Sequence, residues 1–433
     1  MMQNDLEALR ILRDALDTDP GERDSYVSMR CGEDSALRER VDALLRGIGA
    51  EDMESISAHE HEEASSPTGS NGGDSLAGHL LGPFRVVERI GRGGMGVVYR
   101  GTREGADFDQ QVAIKLIRRG FDFDDIRARF LRERRILARL SHPNLARFID
   151  GGIAEDGRPW FALEFVRGES ITRWCDAQRL SVRDRVRLFL DVCAAVQYAH
   201  TGLVVHRDLK PANVLVDESG TVRLLDFGVA GLLAGETDDE DAPSTISERH
   251  AMTPEYAAPE QFLGGVVGIP ADVYALGVLS YELVAGVLPY ALDRSDLDAV
   301  TRTVIATPPQ PLASAVSRAG SPPLPTVETR LAARKIGLQA YRRLVRGDLT
   351  RILDKALAKE PERRYATVQA FADDLARWLE GAPVRVTGNR LGYRLAKFVQ
   401  RNRLAVALAS FALLLLMAGI GGVLWKSREA LRE

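Results

Sequence analysis

Residues 205–215 read VHRDLKPANVL. Asp208 and Asn213 stand five positions apart in this stretch, with Lys210 between them, on what reads as a tight loop. A carboxylate can accept the proton of a hydroxyl group and an amide oxygen can hold Mg²⁺, so the two side chains offer oxygen ligands of different charge. Lys210 adds a positive charge where phosphoryl charge would pass. Each of these residues alone also fits an ordinary turn.

The segments on either side of this loop add further charged groups. Asp226, in the sequence DFG, follows the apolar run TVRLL and provides a second metal ligand. Upstream, Lys115 ends the alternating run VAIK, and Glu133 lies 18 residues later in the helical stretch RARFLRERRILARL. A lysine on a strand that pairs with a glutamate on a helix can bind nucleotide phosphates. Glu133 is preferred because most other polar residues of that stretch are arginines. Taken alone, Lys115 also fits a surface charge.

A glycine-rich segment, GRGGMGVVY, occupies residues 91–99, and its glycines are Gly91, Gly93, Gly94 and Gly96. A GxGxxG pattern is a weak signal by itself, because it also opens dinucleotide-binding units, where it leads into a helix. Here it leads into the strand formers VVY. The sequence therefore predicts a hairpin whose backbone can approach phosphates closely, since no Cβ intervenes, with Val98 above an adenine ring.

Three residues of the C-terminal half are expected to hold the fold together rather than to take part in chemistry. Glu260, in the sequence APE, lies some 30 residues beyond the DFG, and Arg364 in KEPERRY is a plausible buried partner for it. A bidentate arginine–carboxylate pair would attach this segment firmly to the helical part of the fold. Asp272 opens the apolar helical run ADVYALGVLSYEL, and we expect it to accept backbone N–H groups of the 205–215 loop.

In this order and spacing, the motifs resemble those of the eukaryotic-type (Hanks-type) Ser/Thr protein kinases. The strings GRGGMGVVY, HRDLKPANVLV and PEYAAPEQ are similar to the bacterial, membrane-anchored branch in particular. The resemblance covers residues 83–380, about two thirds of the chain. It implies an α+β, two-lobed fold, with a small five-stranded antiparallel β lobe that carries one helix, a larger helical lobe, and ATP bound between them.

The same resemblance assigns the nucleotide contacts. Lys115 would contact the α- and β-phosphates of ATP while paired with Glu133. The ATP site would be lined by Ile90, Gly91, Gly93, Gly94, Gly96, Val98, Ala113, Lys115, Leu163, Glu164, Val166 and Leu215.

The residues of phosphoryl transfer are assigned in the same way. Asp208 would be the catalytic base, with Lys210 steadying the γ-phosphate. Asn213 and Asp226 would bind Mg²⁺ or Mn²⁺. Lys210, two positions after Asp208, is the residue found in Ser/Thr kinases rather than tyrosine kinases. Thr253 would contact Asp208 and Lys210 once a peptide substrate binds.

Regulation is suggested by Arg207, which directly precedes Asp208. An arginine at this position is typical of kinases that are activated by phosphorylation of the loop that follows the DFG. The available acceptors there are Ser244, Thr245 and Ser247. A phosphate adds roughly two negative charges that Arg207 can pair with, so we expect trans-autophosphorylation within a homodimer. The alternative is that ETDDEDAPSTIS is only a solvated loop.

The composition of the chain excludes several other classes of protein. The 433 residues include 57 basic and 61 acidic side chains, a net charge of −4, so a dedicated nucleic-acid-binding protein is not expected. Three widely spaced cysteines exclude a disulfide scaffold or a zinc ribbon and fit a reducing compartment.

The chain divides by composition into segments of different character. We expect a small helical segment at 1–50, an acidic Ser/Gly-rich linker at 51–82, the kinase domain at 83–380, a basic juxtamembrane segment at 381–403, a transmembrane helix at 404–425 and a short extracytoplasmic tail at 426–433. Within the kinase domain, residues 301–327 are rich in Pro, Thr and Ser and read as a surface insertion.

The membrane prediction depends on residues 404–425, which contain no charged side chain. As a helix, 22 residues extend about 33 Å, enough to cross a hydrocarbon core of roughly 30 Å. A buried core helix is the alternative. Basic residues are more numerous before this run than after it, which places the kinase domain in the cytoplasm of a bacterial cell, on a single-pass inner-membrane anchor.

Three classes of function are consistent with this reading. An active protein Ser/Thr kinase is favoured. A pseudokinase scaffold would predict damage at Lys115, Asp208, Asn213 or Asp226, and these are intact. A small-molecule kinase is disfavoured by the APE segment and Thr253, which suit a protein substrate. Met252 departs from the glycine that the family most often has before this threonine. Methionine resists backbone turns that glycine permits, which bears on the geometry of peptide docking.

Overall fold

The structure is a computed structural model, and it describes residues 23–31, 34, 37–38, 41, 76–93, 96–105, 110–117, 138–225, 253–265, 267–292, 296–318, 325–388 and 391–430. The chain folds as two compact units, residues 1–74 and 75–433. The helices and strands below are numbered in chain order over the described residues.

The N-terminal unit contains helix α1, Arg23–Cys31. Val27 and Cys31 of this helix pack with Leu37 and Val41 in a small buried apolar cluster. A helical segment was expected at 1–50, and this cluster is the part of it that falls within the described residues.

The small lobe of the second unit is an antiparallel sheet. Its strands are β1 (Leu80–Leu81), β2 (Phe84–Gly93), β3 (Gly96–Arg103), β4 (Gln111–Ile117), β5 (Phe148–Ile153) and β6 (Pro159–Glu164). Within the described residues they form one six-stranded sheet in the order β1-β2-β3-β4-β6-β5. One face buries Phe84, Tyr99, Ile114 and Trp160, and the rings of Phe84 and Trp160 meet edge to face.

Strand β1 is an addition to the five strands expected. It falls at Leu80–Leu81, inside the segment 51–82 that was read as linker. The prediction missed it because two residues are too short a run to show alternation. Leu81 is buried with Phe84, its partner in the strand register, so burial of a single side chain accounts for the strand.

The large lobe is helical. Its helices are α2 (Ile171–Ala177), α3 (Val182–Thr201), α4 (Pro259–Leu263), α5 (Ile269–Ala285), α6 (Leu297–Ala306), α7 (Leu312–Ala315), α8 (Val327–Ala333), α9 (Leu338–Val345), α10 (Asp348–Ala356) and α11 (Val368–Leu379). Helix α5 is apolar around most of its circumference and nearly every residue in it is buried, which places it in the centre of the lobe. It begins with Pro270 in its first turn and ends at Gly286, which has a left-handed φ of +76°.

The prediction of a surface insertion at 301–327 is wrong for residues 301–318. Helices α6 and α7 lie there, and Val304, Leu312 and Val316 are buried in the main core. The prolines at 308, 309 and 311 mark the turn between the two helices, which a composition argument reads as a loop.

A small three-stranded sheet carries the loop quoted at the start. Its strands are β7 (Gly168–Ser170), β8 (Val214–Asp217) and β9 (Val222–Leu224), in the order β7-β8-β9. Strand β8 begins directly after a 3₁₀ turn at Pro211–Asn213, and β9 ends two residues before Asp226. The sheet therefore fixes the segment that carries Asn213 and the strand that precedes Asp226 in the sequence.

Two further helices follow the two lobes, α12 (Leu391–Arg401) and α13 (Arg403–Ala430). Among the described residues, no helix combines the length and the apolar character needed to cross a membrane. The transmembrane helix predicted at 404–425 is therefore not supported by the structure.

A buried ion pair joins α4 to the rest of the large lobe. Arg364 Nη1 and Nη2 donate to the two carboxylate oxygens of Glu260 at 2.6 and 2.8 Å, the two-bond contact expected from the sequence. The guanidinium also donates to the carbonyl oxygens of Ala358, Pro270 and Lys359. The Arg364 side chain has no exposed surface, so its charge depends on these partners.

We predict that Arg364→Ala lowers the free energy of unfolding by about 3–5 kcal/mol, because Glu260 is left with a buried and uncompensated charge. Urea unfolding followed by tryptophan fluorescence measures this. The matched control is Arg363→Ala at the neighbouring position, where the side chain is 75% exposed, and we expect a change within about 0.5 kcal/mol there. Equal losses in the two variants would contradict the role of the pair.

Candidate active site

A cleft of about 380 Å³ opens between the β2–β3 hairpin and the segment that contains Asp208. Its walls include these residues predicted to bind ATP: Ile90, Gly91, Gly93, Gly96, Val98, Ala113, Lys115, Leu163, Glu164, Val166 and Leu215. Asp208, Lys210 and Asn213 line the same cleft. Residues that are far apart in the sequence are thus brought to one cavity, of a size that suits a small-molecule ligand.

Four other residues line the cleft and were not singled out from the sequence, namely Arg92, Phe165, Ala212 and Leu225. Each is a direct neighbour of a residue that was. These residues could have been predicted from their position next to the chosen residues in the motifs GRGGMG, LEFV, PAN and LDFG. Neighbouring residues of a loop can both face the same cavity.

Lys115 lies on β4, between Val98 of β3 and Phe161 of β6 in the strand registers. The residue is 8% exposed, and its ammonium nitrogen is 5.8 Å from the centre of the Phe161 ring. A lysine that is mostly removed from water binds anionic groups more strongly than a surface lysine does, because the local dielectric is lower. The geometry therefore suits contact with a phosphate in the cleft.

Asp208 is held by donors on three sides. Lys210 Nζ lies 2.8 Å from Asp208 Oδ2, and Asn213 Nδ2 donates to the same oxygen at 3.2 Å. The Thr253 hydroxyl donates to Asp208 Oδ1 at 3.3 Å and accepts from Lys210 Nζ at 2.7 Å. The carboxylate consequently has one defined orientation towards the cleft, as a positioned proton acceptor requires.

Asn213 is oriented by its amide nitrogen, which donates to the backbone oxygen of Asp208 at 2.8 Å as well as to the carboxylate. The amide oxygen is therefore directed away from Asp208. A neutral oxygen beside a carboxylate is a donor set that suits Mg²⁺. The described residues contain no cluster of three or more His, Cys, Asp or Glu side chains arranged to hold a metal.

His206 connects the loop to the strand that leads to Asp226. Its Nε2 donates to the carbonyl oxygen of Leu225 at 2.9 Å, which leaves Nδ1 to accept the N–H of Asp208 at 3.4 Å. The Leu225 N–H in turn donates to the carbonyl oxygen of Asn213 at 2.8 Å. One imidazole ring thereby holds the backbone at both Asp208 and Leu225.

A second histidine supports β9 from the opposite side. His142 Nδ1 accepts the N–H of Asn144 at 3.1 Å, and the His142 ring lies 5.2 Å from that of Tyr198. Burial lowers the pKa of His142, which favours the neutral ring that can accept this bond. The backbone oxygen of Asn144 accepts the N–H of Leu224, and its side-chain amide donates to the carbonyl oxygen of Val222. These bonds hold β9, the strand next to the cleft, along its length.

Asp272, at the start of α5, holds the catalytic loop through its backbone. Its Oδ2 accepts the N–H of His206 and its Oδ1 that of Arg207, both at 2.8 Å, as expected from the sequence. His200 Nε2 lies 2.7 Å from Oδ2. Arg207 has a φ of +67°, a left-handed conformation that costs free energy in a residue with a Cβ. The buried carboxylate stabilises this turn of the chain.

Some predicted residues lie outside the described part of the chain. These are Gly94, Glu133, Asp226, Ser244, Thr245, Ser247 and Met252.

Residues 84–376 match the family model for the protein kinase domain. That range is more than half of the chain, and it contains most of both lobes and the whole cleft. The chain belongs to the protein kinase family. This membership confirms the bacterial-type kinase resemblance at the level of the domain, and the two-lobed fold with it.

Curated bacterial kinases are similar to this domain. The serine/threonine-protein kinase Pkn1 of Myxococcus xanthus is 34% identical over 307 residues, covering 70% of this chain and 39% of that protein. The probable serine/threonine-protein kinase PknB of Bifidobacterium longum is 32% identical over 331 residues, covering 73% of this chain and 42% of that protein. The chain thus spans less than half the length of these relatives.

We predict that Asp272→Asn accelerates hydrogen exchange at His206 or Arg207, because an amide side chain has one acceptor oxygen where the carboxylate has two. A backbone hydrogen bond to a charged group contributes about 1.5–3 kcal/mol, so exchange at the released amide should rise roughly 10- to 100-fold. Mass spectrometry of a peptide that contains both residues measures the rate. Asp298→Asn, on the exposed first turn of α6, is the matched control. Unchanged exchange at both amides would contradict the anchoring role.

Proposed function

We propose that the chain is an ATP-dependent protein serine/threonine kinase, which transfers the γ-phosphate of ATP to Ser and Thr hydroxyl groups of proteins. The observation that carries the proposal is the Asp208 carboxylate, oriented by Lys210, Asn213 and Thr253 at the wall of the cleft. Membership of the kinase family and the serine/threonine kinases among its relatives support the same reaction.

The cleft offers distinct surfaces to the parts of ATP. We infer that the adenine ring lies against the apolar side chains, which are Ile90, Val98, Ala113, Leu163, Val166 and Leu215. The glycines of the β2–β3 hairpin allow the backbone to approach the phosphates. Lys115 neutralises the α- and β-phosphates, with Glu133 as the carboxylate that positions it.

In the transfer step, the hydroxyl oxygen of the substrate attacks the γ-phosphorus, the bond from that phosphorus to the bridging oxygen of ADP breaks, and Asp208 accepts the hydroxyl proton. Lys210 neutralises charge on the transferring group. Asn213 and Asp226 would hold Mg²⁺ or Mn²⁺, which would offset the charge that develops on the β- and γ-phosphate oxygens. Most of the rate acceleration then comes from positioning and electrostatic stabilisation.

Thr253 favours a protein hydroxyl as the acceptor. Its side chain bridges Lys210 and Asp208 and lies on the segment that leads into α4, which the Glu260–Arg364 pair anchors. A site for an extended peptide needs such a fixed platform beside the catalytic carboxylate. Damage at Lys115, Asp208 or Asn213, which a nucleotide-binding scaffold would show, is not present.

We predict that Thr253→Val lowers kcat about 10- to 100-fold, because Asp208 and Lys210 lose the hydroxyl that orients them. Thr253→Ser keeps the hydroxyl and should stay within about threefold of the wild type. The affinity for ATP should be unchanged in both variants, since the cleft lining is intact. Transfer of label from γ-labelled ATP to a protein acceptor measures kcat. Equal activity of the Val and Ser variants would contradict the bridging role, and a wild type that binds ATP without any transfer would favour the scaffold.

We further propose that the kinase is switched on by trans-autophosphorylation of Ser244, Thr245 or Ser247, with transient pairing of two copies. A phosphate there would bring roughly two negative charges within reach of Arg207, whose backbone is already held by Asp272 and Gln261. Such pairing would order the segment before Thr253.

After incubation with ATP and Mg²⁺, we expect mass spectrometry to find phosphate in the segment 232–257. The Asp208→Asn chain should acquire this phosphate only when it is mixed with the wild type, which separates trans from cis transfer. Fully active enzyme with no phosphate in that segment would refute this mode of regulation.

We also propose that α13 attaches the kinase to the inner membrane of a bacterial cell, with the kinase domain on the cytoplasmic side. The support is the exposure of its large apolar side chains, each more than half exposed: Leu408, Phe411, Leu413, Leu414, Leu415, Leu416, Met417 and Ile420. Exposed apolar surface of this extent is characteristic of a membrane or protein contact. The excess of basic residues before this helix favours the cytoplasmic side for the domain that precedes it.

A further inference from the structure

Helix α12 is docked on the large lobe by one of its faces. Lys397 Nζ lies 2.8 Å from Asp348 Oδ2, and the Asp348 side chain is only 7% exposed. One helical turn earlier, the Tyr393 hydroxyl accepts the backbone N–H of Val384 at 3.1 Å. Residues four positions apart lie on the same side of a helix, so these two contacts define the inward face of α12.

The outward face of α12 is apolar and exposed. Leu391, Leu395 and Phe398 are 80%, 63% and 52% exposed, and Val399 is 39% exposed. Their spacing of four, three and one positions forms a single stripe along the helix. Isolated exposed apolar residues are common on protein surfaces, but a continuous stripe of them marks a contact surface.

A groove of about 570 Å³ runs beside this stripe, between α12 and the turn at Gly381 and Pro383. Its walls combine apolar side chains with three cationic ones, Arg394, Lys397 and Arg401. The sequence from 381 to 428 contains no Asp or Glu. The surface is therefore amphipathic, and its charged side chains are cations, of which Lys397 is paired with Asp348. This is the character of helices that lie in the interface of a membrane with anionic lipids.

Two observations favour a lipid surface over a protein occupant. Helix α13 follows α12 after a single residue, and its described side chains from 407 to 422 are all exposed, so the apolar surface continues from one helix to the next. A second copy of the chain would bring the same cationic surface against itself, and that arrangement is electrostatically unfavourable.

We propose that α12 lies on the surface of a bilayer that contains anionic phospholipids, with Leu391, Leu395 and Phe398 inserted among the acyl chains and Arg394 and Arg401 bound to phosphate groups. The proposal rests on the membrane attachment through α13 that is proposed above. Because Lys397 and Tyr393 fix α12 to the large lobe, this contact sets the orientation of the whole kinase domain relative to the membrane.

The test uses the full chain, reconstituted with phosphatidylcholine vesicles with and without phosphatidylglycerol. A fluorophore is attached at Leu395→Cys, or at Leu203→Cys as the control position, where the side chain is 92% exposed on the large lobe. The native residues Cys31, Cys175 and Cys193 are buried and should not compete for the label. Quenching by a lipid that carries a nitroxide reports contact with the bilayer, and sedimentation with the vesicles reports attachment.

We expect quenching at position 395 and none at position 203, and only with phosphatidylglycerol present. Arg394→Gln with Arg401→Gln should lower the ratio of docked to undocked α12 about fivefold for each charge removed. The matched control is Arg302→Gln with Arg363→Gln, where the side chains are 73% and 75% exposed, and it should leave quenching unchanged.

Each other outcome overturns a defined part of the account. Chain that sediments with vesicles but is unquenched at position 395 overturns the docking of α12 and leaves the attachment through α13 in place. Chain that does not sediment overturns the attachment and the docking with it. Quenching that is equal without phosphatidylglycerol, or equal in the Arg394→Gln, Arg401→Gln chain, overturns the recognition of anionic lipid. Energy transfer between labelled copies without lipid quenching identifies self-association in its place.

Discussion

The carboxylate of Asp272 accepts two consecutive backbone N–H groups from the loop that carries Asp208, and it contacts His200 as well. That loop includes a left-handed residue, Arg207, and a chain in this conformation needs surrounding contacts that hold it. Asp272 is 1% exposed and sits in the first turn of the buried helix α5, so it is attached to the centre of the large lobe. The position of the Asp208 carboxylate follows from this anchorage, because Asp208 is only one residue beyond Arg207.

The second constraint is the Glu260–Arg364 pair, and the two are connected. Arg364 binds the Pro270 carbonyl as well as Glu260, so one guanidinium ties α4 to the start of the helix that carries Asp272. Thr253, on the segment before α4, reaches back to Asp208 and Lys210. The Thr253 segment and the Asp208 carboxylate are thus positioned from the same region of the core. A change at either buried charge is expected to disturb both.

Much of the site could be predicted because its chemistry requires particular residue types at short spacings. Asp208, Lys210 and Asn213 lie within six residues, and the pairing of Glu260 with Arg364 follows from the need of a buried carboxylate for a cation. The fold between the motifs was harder to predict. Strand β1 depends on the burial of Leu81, and helices α6 and α7 depend on packing of Val304 and Leu312 that proline-rich composition conceals. Tertiary contacts decide such elements, and local composition does not record them.

The central claim is that Asp208 takes part in phosphoryl transfer and not in holding the nucleotide. The most direct test compares the wild type with Asp208→Asn in two assays, ATP binding by titration and transfer of labelled phosphate to protein. The substitution keeps the shape of the side chain and removes its ability to accept a proton. The account predicts ATP affinity within about threefold of the wild type and transfer lowered by a factor of about 10² to 10⁴. Transfer at the wild-type rate by the Asn variant, with ATP bound, would contradict it.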